Sequence, residues 1–207
     1  MPRLSFFAGL VPLLYPVLVH AAVLTGSLAL RFIALAVLVI NVLGPWLIRR
    51  RILAWLAALA LIAAAALVVD TAGALAFFYA TPVLICLGLA WFFGRTLLAG
   101  RTPLITLLAR AIRGPLPAPV ARYTRAVTVF WCALMVVMAL ANLGLAVFAS
   151  PELWSLCANF LNYFIVAVVF VAEWGVRQRA IGEYEDMSWR EYIAALRRID
   201  YRDFRHG

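Results

Sequence analysis

Long apolar runs separated by short polar breaks dominate the chain, and their lengths predict helices of membrane-crossing size. A helix needs about 20 mainly apolar residues to cross the hydrocarbon core. Six stretches have that character: 5–24, 28–48, 52–69, 73–94, 126–149 and 153–176. The breaks are Thr25-Gly26-Ser27, Arg49-Arg50-Arg51, Asp70, a polar stretch over 95–125, and Ser150-Pro151-Glu152. The pattern predicts an all-α, polytopic membrane protein. Residues 1–176 form a six-span domain with its largest loop over 95–125, and 177–207 form a basic tail. Arg3 and Val19-His20-Ala21 loosely resemble a cleavable leader, but the long run that continues into further spans favours an uncleaved helix.

Two polar segments are amphipathic at helical spacing. In the loop, Thr102 is a capping residue, Pro103 suits the first helical position, and Gly114 suits the end. Leu104, Ile105, Leu108, Ala111 and Ile112 repeat as an apolar face, with Thr106, Arg110 and Arg113 as polar positions. A basic helix of this kind, over about 103–113, lies naturally in the membrane interface. Pro115, Pro117 and Pro119 then predict a stiff extended link into Arg122. In the tail, Ser188-Trp189-Arg190-Glu191 reads as a capping box opening a second such helix, about 189–198. Anchoring to anionic lipid is the simpler role for both helices, and partner docking the alternative.

The arginines orient the spans. All eighteen basic residues are arginine, and the formal charge is +9. They cluster at Arg49, Arg50 and Arg51, then at Arg95, Arg101, Arg110, Arg113, Arg122 and Arg125, then along the tail, while the connections after spans three and five carry none. Arginine beside an apolar span marks the cytoplasmic side. Six spans with both termini cytoplasmic put every cluster on one side. Arg31 is the exception, near the outer end of span two.

Composition agrees. The chain is 67% hydrophobic and 13% charged, with mean hydropathy +1.01, against about 45–50% and 25% in soluble domains. A soluble enzyme, a disordered chain and a disulfide-rich secreted scaffold are excluded. The clustered charge without a recognition motif argues against nucleic acid as a partner.

Chemistry-bearing residues inside the spans are few. Tyr15 and His20 flank Pro16 in span one; Asn41 lies in span two; Tyr79, Thr81 and Pro82 lie in span four. Asn142 is in span five, and Asn159, Asn162, Tyr163 and Glu173 are in span six. Such groups in a bilayer need partners and often mark function. The candidate membrane site is therefore His20, Tyr15, Asn142, Asn159, Asn162, Tyr163 and Glu173, with helix-to-helix hydrogen bonding as the alternative for the asparagines and His20. Glu173 pairs either with Arg177, four residues on, or across helices with Arg122 or Arg125. Cys86, Cys132 and Cys157 fall in apolar runs without a CxxC pair and read as small hydrophobes. No zinc, phosphate-loop or nucleophile-elbow motif occurs, so no metal or cofactor is expected and catalysis has no visible apparatus. Any catalytic group would have to be His20 or Glu173.

Several segments resemble an uncharacterised bacterial inner-membrane family whose genes often sit in aryl-polyene or type II fatty-acid-like clusters. They are Tyr15-Pro16 with His20, Phe93-Gly94-Arg95-Thr96-Leu97, Gly100-Arg101-Thr102-Pro103-Leu104-Ile105, Arg113-Gly114-Pro115-Leu116-Pro117, Ala121-Arg122-Tyr123-Thr124-Arg125, Asn162-Tyr163 and Phe170-Val171-Ala172-Glu173. A Pro-Leu-Ile loop and Ala141-Asn142 are more distantly similar to the intracellular septation protein A family. Some members of the first family have been labelled ketosynthase-related. Spans, and cysteines without histidine partners, are incompatible with that soluble enzyme. The resemblance implies a multi-pass inner-membrane accessory protein for lipid-like biosynthesis. It would recruit soluble acyl-carrier-dependent enzymes or an acidic carrier protein, or hold an apolar intermediate, at the cytoplasmic face. Arg95, Arg101, Arg110, Arg113, Arg122 and Arg125 would supply the docking or lipid-headgroup surface. Transport or flipping of a lipid or pigment precursor is the alternative, and a cell-envelope or septation role a third.

Overall fold

The computed structural model describes residues 3–48, 52–68 and 72–184. The predicted tail helix, about 189–198, and the polar breaks at Arg49-Arg50-Arg51 and Asp70 lie outside them. Among the described residues the fold is all-helical, without strands. In chain order the helices are α1 (Arg3–Thr25), α2 (Leu28–Ile48), α3 (Ile52–Val68), α4 (Ala72–Gly94), α5 (Leu104–Arg113), α6 (Ala118–Phe148), α7 (Pro151–Leu156) and α8 (Asn162–Ile181). A π-helical segment, Cys157–Leu161, joins α7 to α8.

Among the described residues three helical stretches are long and apolar enough to cross a membrane: Phe78–Leu97, Ala118–Phe148 and Pro151–Ile181. Within α1, α2 and α3, the stretches Leu14–Thr25, Leu28–Asn41 and Trp55–Ala64 are apolar as well. Side chains such as Phe148 (89% exposed), Leu67 (83%) and Leu53 (76%) stand clear of the fold. That exposure suits hydrocarbon as the surrounding medium and not water.

Local chemistry sets the helix ends. Between α1 and α2 the chain reverses through Gly26 at φ +65°, a left-handed conformation that glycine adopts without a Cβ clash. The Thr25 hydroxyl donates to the Ala21 carbonyl at 2.7 Å, and Ser27 Oγ accepts from the Leu30 amide at 3.4 Å, so this short turn satisfies both flanking helices. Ser150 caps α7 by accepting from the Leu153 amide at 3.3 Å, with Pro151 in the first turn and Glu152 favourably placed at the helix N-terminus. Helix α4 passes through Pro82 unbroken.

Two expectations need correction. The prolines before span five do not all form an extended link: α6 starts at Ala118, so Pro119 lies in its first turn, where a missing N–H is harmless. Arg122 and Arg125 therefore stand on a helix and not in a loop. Likewise Thr102 does not cap α5. Pro103 occupies the cap position with an extended ψ of 145° and no side-chain cap bond, and the free amides find distant acceptors, described below.

The chain separates into two compact units. The first comprises Met1–Val83 and Ala141–Phe164, the second Leu84–Leu140 and Ile165–Gly207. In the first unit α1 packs against α2 and α7, and α2 against α3. Its core gathers Val19, Ala34, Leu35, Phe78, Trp154 and Ala158. In the second unit the buried apolar residues include Leu104, Val120, Val127, Trp131, Met135 and Ile181. The Phe93 ring stacks on Trp131 with centroids 6.4 Å apart. Gly94 permits a close approach there: a Cβ on it would stand 3.3 Å from Cys132 Sγ.

Candidate functional site

The polar residues that sequence singled out fall into two separate sets. The first unit holds Tyr15, His20, Asn142, Asn159, Asn162 and Tyr163. The second holds Glu173 and the arginines.

In the first unit the π segment organises the polar groups. A π turn inserts one residue relative to α-helical register, and here the Asn162 amide reaches back to the Cys157 carbonyl. Ser155 and Asn159 lie on either side of its start, both buried. Asn159 Nδ2 donates to the Ser155 carbonyl at 2.9 Å and to Ser155 Oγ at 3.1 Å. The same Oγ lies 3.0 Å from His20 Nδ1 on α1. The His20 ring meets Phe160 edge-on, with centroids 5.2 Å apart. Asn162 Nδ2 donates to Asn142 Oδ1 at 2.8 Å, and Asn142 is fully buried. A hydrogen bond links the side chains of Tyr15 and Thr81. Tyr163 is exposed.

Ser155 was not singled out from sequence, because one serine in an apolar run carries no periodic signal. Its contact with His20 has the separation of a nucleophile and base. A catalytic site of that kind also needs a group that orients the imidazole, and among the described residues no carboxylate is hydrogen-bonded to the His20 ring. The arrangement locks α1 against α7 and the π segment through side-chain hydrogen bonds. Among the described residues no group of three metal-ligating side chains comes together.

In the second unit, three threonines fix α5. The Leu104 amide donates to Thr96 Oγ1 at 3.0 Å, and the Ile105 amide to Thr128 Oγ1 at 3.2 Å. Thr106 and Thr124 pair through their hydroxyls at 2.8 Å. The Thr124 hydroxyl proton is already directed to the Val120 and Ala121 carbonyls at 3.0 and 3.1 Å, so Thr106 is the donor of that pair. Thr106 is 3% exposed, which corrects its expected place on the polar face. At the other end, Gly114 closes α5 at φ +78°, and Arg113 Nη1 donates to the Tyr184 carbonyl at 2.6 Å.

This sorts the six arginines. Arg113 is committed to Tyr184, and Arg95 lies over the Phe92 ring, 4.9 Å from its centroid. Arg101, Arg110, Arg122 and Arg125 are exposed.

Glu173 makes its pair within α8. Its Oε1 accepts from Arg177 Nη2 at 2.9 Å and Nε at 3.1 Å. The cross-helix partner is the Tyr123 hydroxyl on α6, at 3.2 Å, and not Arg122 or Arg125. Beside this trio an open groove of about 330 Å³ runs between α6 and α8, walled by Ala126, Phe130, Val169 and Ala172 among others.

No protein-family model, no curated protein and no solved structure matches the chain. The class that stands on the fold alone is a protein whose described residues are all-helical and include three helices of membrane-spanning length and apolarity.

Proposed function

We propose that the chain is a six-span integral protein of a bacterial inner membrane, with both termini cytoplasmic, acting as a non-catalytic accessory to lipid-like biosynthesis. In this reading it recruits soluble acyl-carrier-dependent enzymes, or an acidic carrier protein, to the cytoplasmic face and holds an apolar intermediate there. The observation that carries it is the pinned α5 with four exposed arginines on or beside it and α6. A helix that only floats in the interface needs no buried threonine clamp. A clamp that fixes cations in space offers a partner a defined pattern of charge. The family resemblance supplies the pathway.

Transport has less support. Its polar groups would have to face a route, yet His20, Asn142, Asn159 and Asn162 are hydrogen-bonded to one another or to Ser155. Co-purification from native membranes at low salt tests the proposal. An acidic carrier or a carrier-dependent enzyme enriches with the wild type and is lost when Arg101, Arg110, Arg122 and Arg125 are changed together to Gln. Equal recovery from both proteins overturns it.

A further inference from the structure

The groove between α6 and α8 has a polar end and an apolar body. From Tyr123 to Phe130 it follows α6 for ~10 Å, at 1.5 Å per residue. That is about two thirds of one leaflet of a ~30 Å hydrocarbon core. Its volume, about 330 Å³, lies at the small end of the range for ligand pockets. Ala126 and Ala172 create the depression by lacking bulk where the neighbouring walls carry Phe130 and Val169.

The polar end is chemically one-sided. Every hydrogen bond the described residues make to the Glu173 carboxylate converges on Oε1: two from Arg177 and one from Tyr123. A carboxylate has about four acceptor positions on two oxygens, so Oε2 retains its capacity. The Glu173 side chain is 9% exposed, which makes a further N–H donor more valuable there than in water. Cations flank this end. Arg122 lies four residues before Ala126 and Arg179 seven after Ala172, so each continues a wall stripe of the groove, and both are exposed.

We propose that this groove is a lipid site for one acyl chain of a zwitterionic phospholipid with a primary ammonium head. The ammonium donates to Glu173 Oε2, and the phosphate lies between Arg122 and Arg179. The chain fills the alanine-lined body. The site rests on the membrane-embedded reading above and gives the held apolar molecule a chemical class. It does not depend on recruitment of soluble enzymes.

Native mass spectrometry of the full-length, detergent-purified protein tests it with three dioleoyl lipids: phosphatidylethanolamine, phosphatidylcholine and phosphatidylglycerol. Phosphatidylcholine keeps the zwitterion and the chains but has no N–H donor. Wild type should retain phosphatidylethanolamine roughly tenfold better than phosphatidylcholine, the weight of one charge-assisted hydrogen bond. Glu173→Gln should abolish that preference while its amide oxygen still accepts from the Tyr123 hydroxyl. Ala172→Phe should reduce retention of all three lipids, and Ala126→Leu supplies a milder filling variant if the first fails to fold. Equal retention of phosphatidylethanolamine and phosphatidylcholine by the wild type, or preference for phosphatidylglycerol, overturns the proposal. Unchanged lipid retention in the filling variants does the same. Carrier co-purification is read here with Arg101, Arg110 and Arg125 changed to Gln and Arg122 kept, which leaves the groove intact, so the two failures are distinguishable.

Discussion

The two compact units satisfy their polar groups in opposite ways. In the first, polar side chains pair with each other: His20 with Ser155, Ser155 with Asn159, Asn142 with Asn162. In the second, hydroxyls serve backbone amides and one carboxylate serves an arginine and a tyrosine, while further arginines stay exposed. Burial without charge favours a fixed helix arrangement. Charge held at an exposed end favours contact with something else. The comparison locates structural polarity in the first unit and available polarity in the second.

Substitutions test that division, beginning with the largest effect. Trp154 is 1% exposed and meets Tyr79 edge-on at 4.4 Å. Trp154→Ala should destabilise the protein by about 3 kcal/mol, the lower part of the range for a large core truncation, because a bilayer adds no water-exclusion term. Thermal or steric-trap unfolding in bicelles measures it, and a loss below about 1 kcal/mol would show that the first unit is not organised around this residue.

Glu173→Ala should come next, at about 1–3 kcal/mol, since Arg177 and Tyr123 both lose their acceptor. Glu173→Gln should recover much of that loss if the Tyr123 bond matters. No recovery would make the ion pair the dominant contact.

Thr128→Val should cost about 1 kcal/mol, as loss of a helix cap does. The sharper readout is local: amide exchange should accelerate at Ile105 and leave Trp154 and its neighbours unchanged. Acceleration across the first unit as well would erase the distinction between the units.

In a double-mutant cycle, Asn142→Ala and Asn162→Ala should couple by about 0.6 kcal/mol, the average for hydrogen bonds between membrane helices. Zero coupling would remove that bond from the account of the first unit. Smallest of all, Arg122→Gln should shift stability by less than about 0.5 kcal/mol, as expected for an exposed side chain. A larger loss would mean that the residue is structural and not free for a partner.

Much of the helical layout was readable from sequence. The Thr25-Gly26-Ser27 and Ser150-Pro151-Glu152 breaks coincide with helix ends, because capping chemistry is local. Three closely spaced prolines suggest an extended link up to Arg122, although Pro119 sits in the first turn of α6, where there is no N–H to lose. The clamp on α5 was also missed. Thr124 and Thr128 stand four apart on one face of α6, a signal present in the sequence, but their partners Thr106 and Ile105 come from a different segment. The π segment has no sequence signature of its own, and without it the place of Ser155 beside His20 could not be inferred. Sequence shows which polar residues lie in apolar runs, whereas their pairing depends on tertiary structure.

The His20–Ser155 contact also has a history in time. Its partners are 135 residues apart in the chain. At ~5–20 residues per second, synthesis separates them by about 7 to 27 s. Helix α1 therefore enters its surroundings with an imidazole whose partner does not yet exist. Until α7 emerges, that ring must be kept by water, a headgroup or the insertion machinery. Helix α7 closes a bond that α1 leaves open, so a nascent chain halted before Ser155 should carry His20 in an accessible, chemically reactive state.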